Sequence, residues 1–249
     1  MNNINNKGRF NINRLIFLLN QIRKRSWMAV GHRRKPALIT DVKVESPGLN
    51  LTYPKVSGLK HKSAESGINR YIKKEVHKIL KGEGYGKDEN KKFTGGYTVK
   101  LNRRGTLSIN IEVYHHVKGE EKGITIRKTI NISLKDARVY YLNDLFSRKL
   151  KKSKVIGILN DIIRNQATFQ SADLIGEFDG VDLNQSYFLT EDSIVIYLDN
   201  EQIKSSECGF PEFEIPFSEI EDIINSKGPI GRLLRDRDEN LNNEETADE

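Results

Sequence analysis

Two segments in the middle of the chain alternate strictly between apolar and polar residues, which predicts β-strands with one buried face. They are TLSINIEVYHHV (residues 106–117) and ITIRKTINISL (residues 124–134). Successive side chains of a strand point to opposite faces, so the apolar positions of each segment share one face. The connection KGEEKG is short and contains glycine, which predicts an antiparallel hairpin. YTVKLN adds a third strand, and we expect the polar face of this sheet to be solvated.

An amphipathic helix before these strands has the apolar stripe needed to cover the sheet. In AESGINRYIKKEVHKIL the apolar residues at helical spacing are Ile68, Ile72, Val76 and Ile79/Leu80. Two shorter strands, DVKVES and LNLTYPKV, precede the helix and are separated by the turn pair Pro47-Gly48. A sheet with one apolar face requires a covering layer, so residues 41–140 are predicted to form an α+β module.

The second half of the chain repeats this organisation. A helix is predicted first, from apolar residues at Val155, Ile158/Leu159 and Ile162/Ile163. Two strands then flank a turn at Glu191-Asp192, and FEIPF supplies a third strand. SEIEDII is expected to begin a helix with Ser218 and Glu221 in a capping box. Residues 141–228 therefore form a second module. The predicted fold class is α+β, with two modules that are each a mainly antiparallel sheet covered by helices on one face.

The charge of the chain is concentrated at its ends. Residues 1–40 hold nine of the 41 Lys and Arg residues and no acid. This leaves 32 basic residues against 34 Asp and Glu, a net charge of −2 for the rest. The sequence pI near 9.3 thus reflects a basic arm, which would attract nucleic acid, anionic lipid or cell-wall polyanions. Residues 229–249 form an acidic tail that we expect to be disordered.

The arm contains an apolar run, Leu15 to Leu19, that is too short for a transmembrane helix or a signal peptide. It fits a basic amphipathic helix on a membrane surface, a helix docked on the folded body, or a segment upstream of a native start at Met28. With no targeting segment recognised, a cytoplasmic location is the default. The single cysteine, Cys208, excludes an intramolecular disulfide.

Candidate catalytic residues are sparse. His115 and His116 are adjacent in a strand and point to opposite faces, so they cannot easily share a metal ion. Glu112, Tyr114 and His116 share the polar face at a spacing that would suit a metal or acid–base site. GEGYG (residues 82–86) lacks the strand–loop–helix context of a phosphate loop. We therefore expect no enzyme activity, no catalytic residue, no cofactor and no bound metal.

The segment YFLTEDSIVIYLDNEQI, followed by CGFPEFEIPFSEI, resembles the signature of a bacterial domain of unknown function. LNLTYPKVSGL, INRYIKKEV, the sheet and YYLNDLF resemble the domain that usually precedes it. The tandem pair is found in the ectodomain of the lysozyme-sensing anti-sigma-V factor and beside a Bacillus peptidoglycan deacetylase domain. The resemblance covers residues 41–225 and implies an envelope-associated recognition module that binds a lysozyme-like protein or peptidoglycan. This chain departs from the family pattern at Asn200, Ser206 and Phe217, where aromatic residues or tyrosine are usual.

Two functional hypotheses follow. The first is non-catalytic recognition of a lysozyme-like protein or cell-wall glycan by the second module. The second is an intracellular protein that associates with nucleic acid or anionic membrane through its arm, although the sequence has no nucleic-acid-reading motif. For the first, a polar loop with an aromatic residue is the expected partner surface. Its residues are Lys204, Ser205, Ser206, Glu207 and Phe210.

Overall fold

A computed structural model describes residues 35–169, 180–199 and 210–235. Within these ranges the chain forms a five-stranded sheet and a three-stranded sheet. Most of the basic arm, residues 236–249 of the acidic tail, Cys208 and the predicted partner residues Lys204–Glu207 lie outside the described residues. Residues 229–235, which the sequence assigned to the disordered tail, instead form a helix with Ile230 and Leu233 buried. The mixed α+β class and the two sheets confirm the fold class predicted from the sequence.

The first sheet has the strand order β1-β2-β3-β4-β5. Its elements are β1 (Leu38–Ser46), β2 (Leu49–Ser57), α1 (Lys62–Gly82), β3 (Lys91–Arg103), β4 (Thr106–Val117) and β5 (Ile124–Ser133). All neighbouring strands are antiparallel except β2 and β3, which pair in parallel over three positions. The sequence predicted the strands but did not join β2 to the meander. A parallel pair needs a crossover connection, and α1 both supplies it and covers the sheet.

The apolar face of this sheet packs against α1, as the sequence predicted. Ile68 and Ile72 of the helix and Ile109 and Ile111 of β4 are all fully buried in one cluster. His115 continues the buried face of β4 beyond these residues. Its Nε2 lies 2.9 Å from a carboxylate oxygen of Glu83, just after α1, so this buried imidazole has a polar partner.

The second sheet has the order β6-β7-β8 and is antiparallel throughout. The elements of this module are α2 (Lys152–Phe169), β6 (Tyr187–Leu189), β7 (Ser193–Tyr197), β8 (Glu212–Pro216) and α3, described over residues 229–235. One face of the sheet joins the buried residues Val155, Leu159 and Ile163 of α2 in a second core. The helical spacing read from the sequence is therefore confirmed.

The capping box expected at Ser218 and Glu221 is wrong. The segment instead forms two 3₁₀ turns, Phe217–Glu219 and Glu221–Ile223, and no side chain caps either of them. Phe217, Ile220 and Ile223 are buried at intervals of three residues. This spacing matches the 3₁₀ period, so burial of these side chains favours 3₁₀ turns over an α-helix.

The polar face of the first sheet is not solvated along its whole length, contrary to the expectation from its alternation. Its polar residues are almost completely buried where β6 packs across β4 and β5. These residues are Ser108, Asn110, Asn131 and Ser133. These polar side chains hydrogen-bond to the second module instead of to water. Alternation in a sequence therefore indicates which face of a strand is polar, but not whether that face is exposed.

Candidate binding site at the module junction

Side chains of the first sheet complete the open edge of the second. Ser186 and Thr190, on either side of β6, hydrogen-bond to β7, so the backbone groups of Tyr187 and Leu189 point to the free edge. The Leu189 N–H donates to Ser108 Oγ at 3.1 Å. Asn131 Nδ2 donates to the Tyr187 carbonyl at 2.8 Å. These bonds satisfy an edge that would otherwise be open to strand pairing.

The two edge-binding side chains are themselves connected, because Ser108 Oγ donates to Asn131 Oδ1 at 2.6 Å. A second group lies farther along the same face. Thr129 donates to Asn110 Oδ1 at 2.7 Å, and its hydroxyl lies 2.9 Å from the Tyr197 hydroxyl. The modules are therefore joined by a buried polar network, and such networks favour one relative arrangement of their parts.

Two tyrosines at the junction are held in the neutral form. Burial raises the pKa of Tyr187 well above its ordinary value, and burial also raises that of Tyr197. The Tyr187 hydroxyl donates to the Tyr140 carbonyl at 2.9 Å. Both phenols therefore act as uncharged hydrogen-bonding groups, which suits a structural role.

Arg127 links the two modules at the edge of their interface through Glu112 and Glu212, and we call these three residues the clamp. Its Nε lies 2.7 Å from a carboxylate oxygen of Glu112 on β4, and its Nη1 donates to Glu212 on β8. The guanidinium also lies 4.4 Å from the centre of the Phe210 ring. Only 13% of the Arg127 side chain is exposed. One arginine thus pairs with a carboxylate from each module beneath an aromatic ring.

Phe210 is the only predicted partner residue within the described chain. It is half-buried, and its ring meets that of Tyr197 edge to face at 5.9 Å. With Arg127 below it, Phe210 has a packing function at the junction. Its role in partner binding stays a prediction, as does that of Lys204, Ser205, Ser206 and Glu207, which lie outside the described residues.

An acidic cleft lies beside the clamp. It is lined by side chains of β7, β8, the following 3₁₀ turn and α2: Gln166, Val195, Glu212, Glu214, Pro216 and Glu219. The cavity has a volume of about 510 Å³. Gln166 donates to the Glu214 carbonyl at 2.6 Å, and Ser193 donates to the Glu214 carboxylate at 2.7 Å. Hydrogen bonds from α2 and from β7 therefore hold Glu214 of β8 in place.

The polar face extends past the clamp to an uncovered end. Glu112, Tyr114 and His116 share this face, as predicted, and His115 points to the other. The Tyr114 and His116 rings are stacked, with centroids 5.7 Å apart and planes 29° apart. Across the described ranges, no three His, Cys, Asp or Glu side chains are grouped to hold a metal ion.

Sequence reasoning missed the residues that make the junction. Ser108, Asn131 and Arg127 were assigned to a solvated face, because a short polar side chain looks the same in sequence whether it meets water or another module. One signal was available: Ser and Asn at the alternating polar positions offer both donors and acceptors, so they can bond to the backbone of another strand.

Comparison with known protein families gives a match that lies within the second module. Residues 143–218 match the family model described as "Protein of unknown function (DUF3298)", from the 3₁₀ turn before α2 to the one after β8. The similarity to this family thus covers most of the second module. None of the curated proteins matches it.

Two solved structures share the fold of the larger part of the chain. A DUF3298 family member from Bacteroides fragilis is 15% identical, with a TM-score of 0.56, and 82% of this chain matches 98% of that one. A DUF3298 family protein from Pseudomonas aeruginosa is 13% identical, with a TM-score of 0.52, over 82% of this chain and 97% of that one. The matched region is larger than the DUF3298 segment, so the fold similarity extends into the first module.

No helix in the described parts of the chain is long and apolar enough to cross a membrane.

Proposed function

We propose that this chain is a non-catalytic recognition module of the cell envelope, which binds a lysozyme-like protein or a cell-wall glycan through the second module. The observation that carries the proposal is the cleft beside the clamp. Three glutamates and a glutamine line an open cavity of about 510 Å³, a size within the range of ligand sites. The resemblance of the sequence to envelope-sensing tandem domains supports the same assignment.

The chemistry of the cleft suits recognition. Carboxylates and amides accept hydrogen bonds from sugar hydroxyls, and carboxylates also attract the lysines and arginines of a basic protein. Glu212 is already paired with Arg127, and Glu214 already accepts a hydrogen bond from Ser193. Side chains held in this way form a prearranged surface, which lowers the entropic cost of binding.

The test is calorimetric titration of the full chain with a lysozyme and, separately, with soluble peptidoglycan fragments. Glu214→Gln combined with Glu219→Gln is expected to weaken binding about tenfold or more, because both carboxylates face the cleft. The matched control is Glu45→Gln with Glu89→Gln, which removes the same charge from exposed positions on the first module. Equal losses from both double variants would indicate a general charge effect, and absence of binding by the unaltered chain would overturn the proposal.

The predicted loop needs a separate test, because Phe210 packs on Arg127 and Tyr197. Replacing Phe210 would disturb the junction as well as any partner surface. Glu207→Ala alone is the cleaner variant. It is expected to weaken lysozyme binding without a change in melting temperature, and unchanged binding would remove Glu207 from the partner surface.

A further inference from the structure

The Tyr114–His116 pair is the part of the polar face that the second module leaves uncovered. Tyr114 is 41% exposed, whereas the polar residues nearer β6 on the same strand are buried. Tyr114 and His116 are two residues apart on β4, so their rings lie side by side on one face. An exposed tyrosine stacked on a histidine therefore extends the junction surface beyond Glu112.

The position of the Tyr114 ring is constrained by the end of the hairpin. A Cβ atom placed on Gly123 would lie 2.5 Å from the Tyr114 hydroxyl oxygen, so the ring passes directly over the backbone there. Only glycine permits this close approach. With His116 on one side and Gly123 beneath, the ring is held before any ligand arrives, and a prearranged aromatic surface costs little entropy to use.

Polar groups adjoin the aromatic pair on the same face. Glu112 is two residues before Tyr114, and it is paired with Arg127 while 46% of its side chain remains exposed. An aromatic face meets the C–H groups of a sugar ring favourably, because its π-system is negative and the C–H groups are slightly positive. Beside the ring, the exposed part of the Glu112 carboxylate can accept hydrogen bonds from sugar hydroxyls, while its pairing with Arg127 fixes its position.

The charges beside the pair are mixed, because the exposed Lys92 of β3 lies opposite His116 and Glu112 lies on the other side of Tyr114. The carboxylates of the cleft would repel the phosphates of a nucleic acid that continued past the clamp. The neighbouring strands present Thr94 and Thr125 beside Tyr114, so the surface lacks the continuous apolar groove that a hydrophobic peptide helix needs.

We propose that Tyr114 and His116 form a stacking platform for one sugar ring of an uncharged amino-sugar oligomer, with Glu112 as its hydrogen-bonding partner and Arg127 as the group that positions Glu112. This inference rests on the proposed function and extends it, because it adds the junction face of the first module to the glycan site in the cleft of the second. A longer oligomer would continue past the clamp to Glu212 and the cleft.

The test is a calorimetric titration of the full chain with the tetramer of N-acetylglucosamine. Tyr114→Ala is expected to raise the dissociation constant about tenfold, because it removes the stacking ring, whereas Tyr114→Phe keeps the ring and should change it little. The matched control is Tyr141→Ala, since Tyr141 is also exposed, at 60%, but lies away from the platform. Melting temperatures confirm that each variant is folded.

The outcomes separate the two proposals. Tetramer binding that Tyr114→Ala leaves unchanged, or that Tyr114→Phe abolishes as fully as Tyr114→Ala, would overturn the stacking platform. Lysozyme binding without any tetramer binding would also overturn the platform while leaving the proposed function intact. If the unaltered chain binds neither ligand, both proposals fail.

Discussion

The two faces of the five-stranded sheet are buried by different means. The apolar face is covered by α1, which lies within the same module, and its core side chains are aliphatic. Part of the polar face is covered by β6, more than 50 residues farther along the chain, and its contacts are hydrogen bonds. Burial of apolar area supplies stability, whereas each internal hydrogen bond contributes only about 1 kcal/mol net.

This difference assigns different tasks to the two faces. An apolar core tolerates several packings of similar volume, but a hydrogen-bonded contact is satisfied in only a few geometries. The polar face therefore fixes where the second module sits. Its placement brings Arg127 and Glu112 next to Glu212 and the cleft, so the candidate binding surface depends on the junction.

The largest expected effect is on the apolar face. Ile111 is fully buried, so Ile111→Ala should lower the free energy of unfolding by about 2 to 5 kcal/mol, through lost apolar burial and the cavity left behind. Thr98→Ala, at an exposed position of the neighbouring strand, is the control. Urea denaturation followed by circular dichroism measures both, and similar small losses would show that this face is not the core.

The next effect is on the edge of β6. Asn131→Ala removes the donor to the Tyr187 carbonyl and the acceptor for Ser108, leaving buried polar groups unsatisfied. We expect the free energy of unfolding to fall by about 1 to 3 kcal/mol. Amide hydrogen exchange should also quicken in β6 and β7 more than in β1 and β2. A uniform increase across both sheets would contradict the assignment of Asn131 to the junction.

The clamp should contribute less, because its carboxylates are partly exposed. Arg127→Met keeps the aliphatic stem beneath Phe210 but removes the charge that separates Glu112 from Glu212. We expect the free energy of unfolding to fall by about 1 to 2 kcal/mol, and by less at high salt. Adding Glu112→Gln and Glu212→Gln should restore part of it. No recovery in the triple variant would indicate that repulsion between the carboxylates is not the cause.

The smallest effect concerns pH. Because burial raises the pKa of Tyr197, the unfolded chain releases this proton at lower pH than the folded chain does. The stabilisation is therefore complete below about pH 10 and is lost as the pH rises further, by up to about 1.4 kcal/mol per unit for one group. Tyr197→Phe should make the decline of stability with pH shallower. At pH 8 it should also lower the free energy of unfolding by about 1 kcal/mol, because the hydrogen bond between Tyr197 and Thr129 is lost. Denaturant midpoints at pH 8, 10 and 11 test both effects, and equal slopes for the two proteins would refute the first.

The sequence determined much of the secondary structure and the apolar packing, because both depend on local periodicity. The alternation in β4 and β5 and the stripe through Ile68, Ile72 and Val76 each identified the side that faces the core. The strands on either side of Glu191-Asp192 followed from a different local signal, two short apolar runs that flank a turn.

Only the tertiary structure decided which polar residues would be buried. Ser108 and Asn131 bond to backbone groups 81 and 56 positions away, and the pairing of Arg127 with Glu212 spans 85 positions. No local pattern encodes such partners, because a polar side chain hydrogen-bonds equally well to water or to a distant strand. The same reason explains why the cleft emerged only from the fold, because packing assembles it from α2, β7 and β8. Tyr114 and His116 lie on one strand, so the sequence predicted that they share a face, and only the fold showed that this end of the face is uncovered.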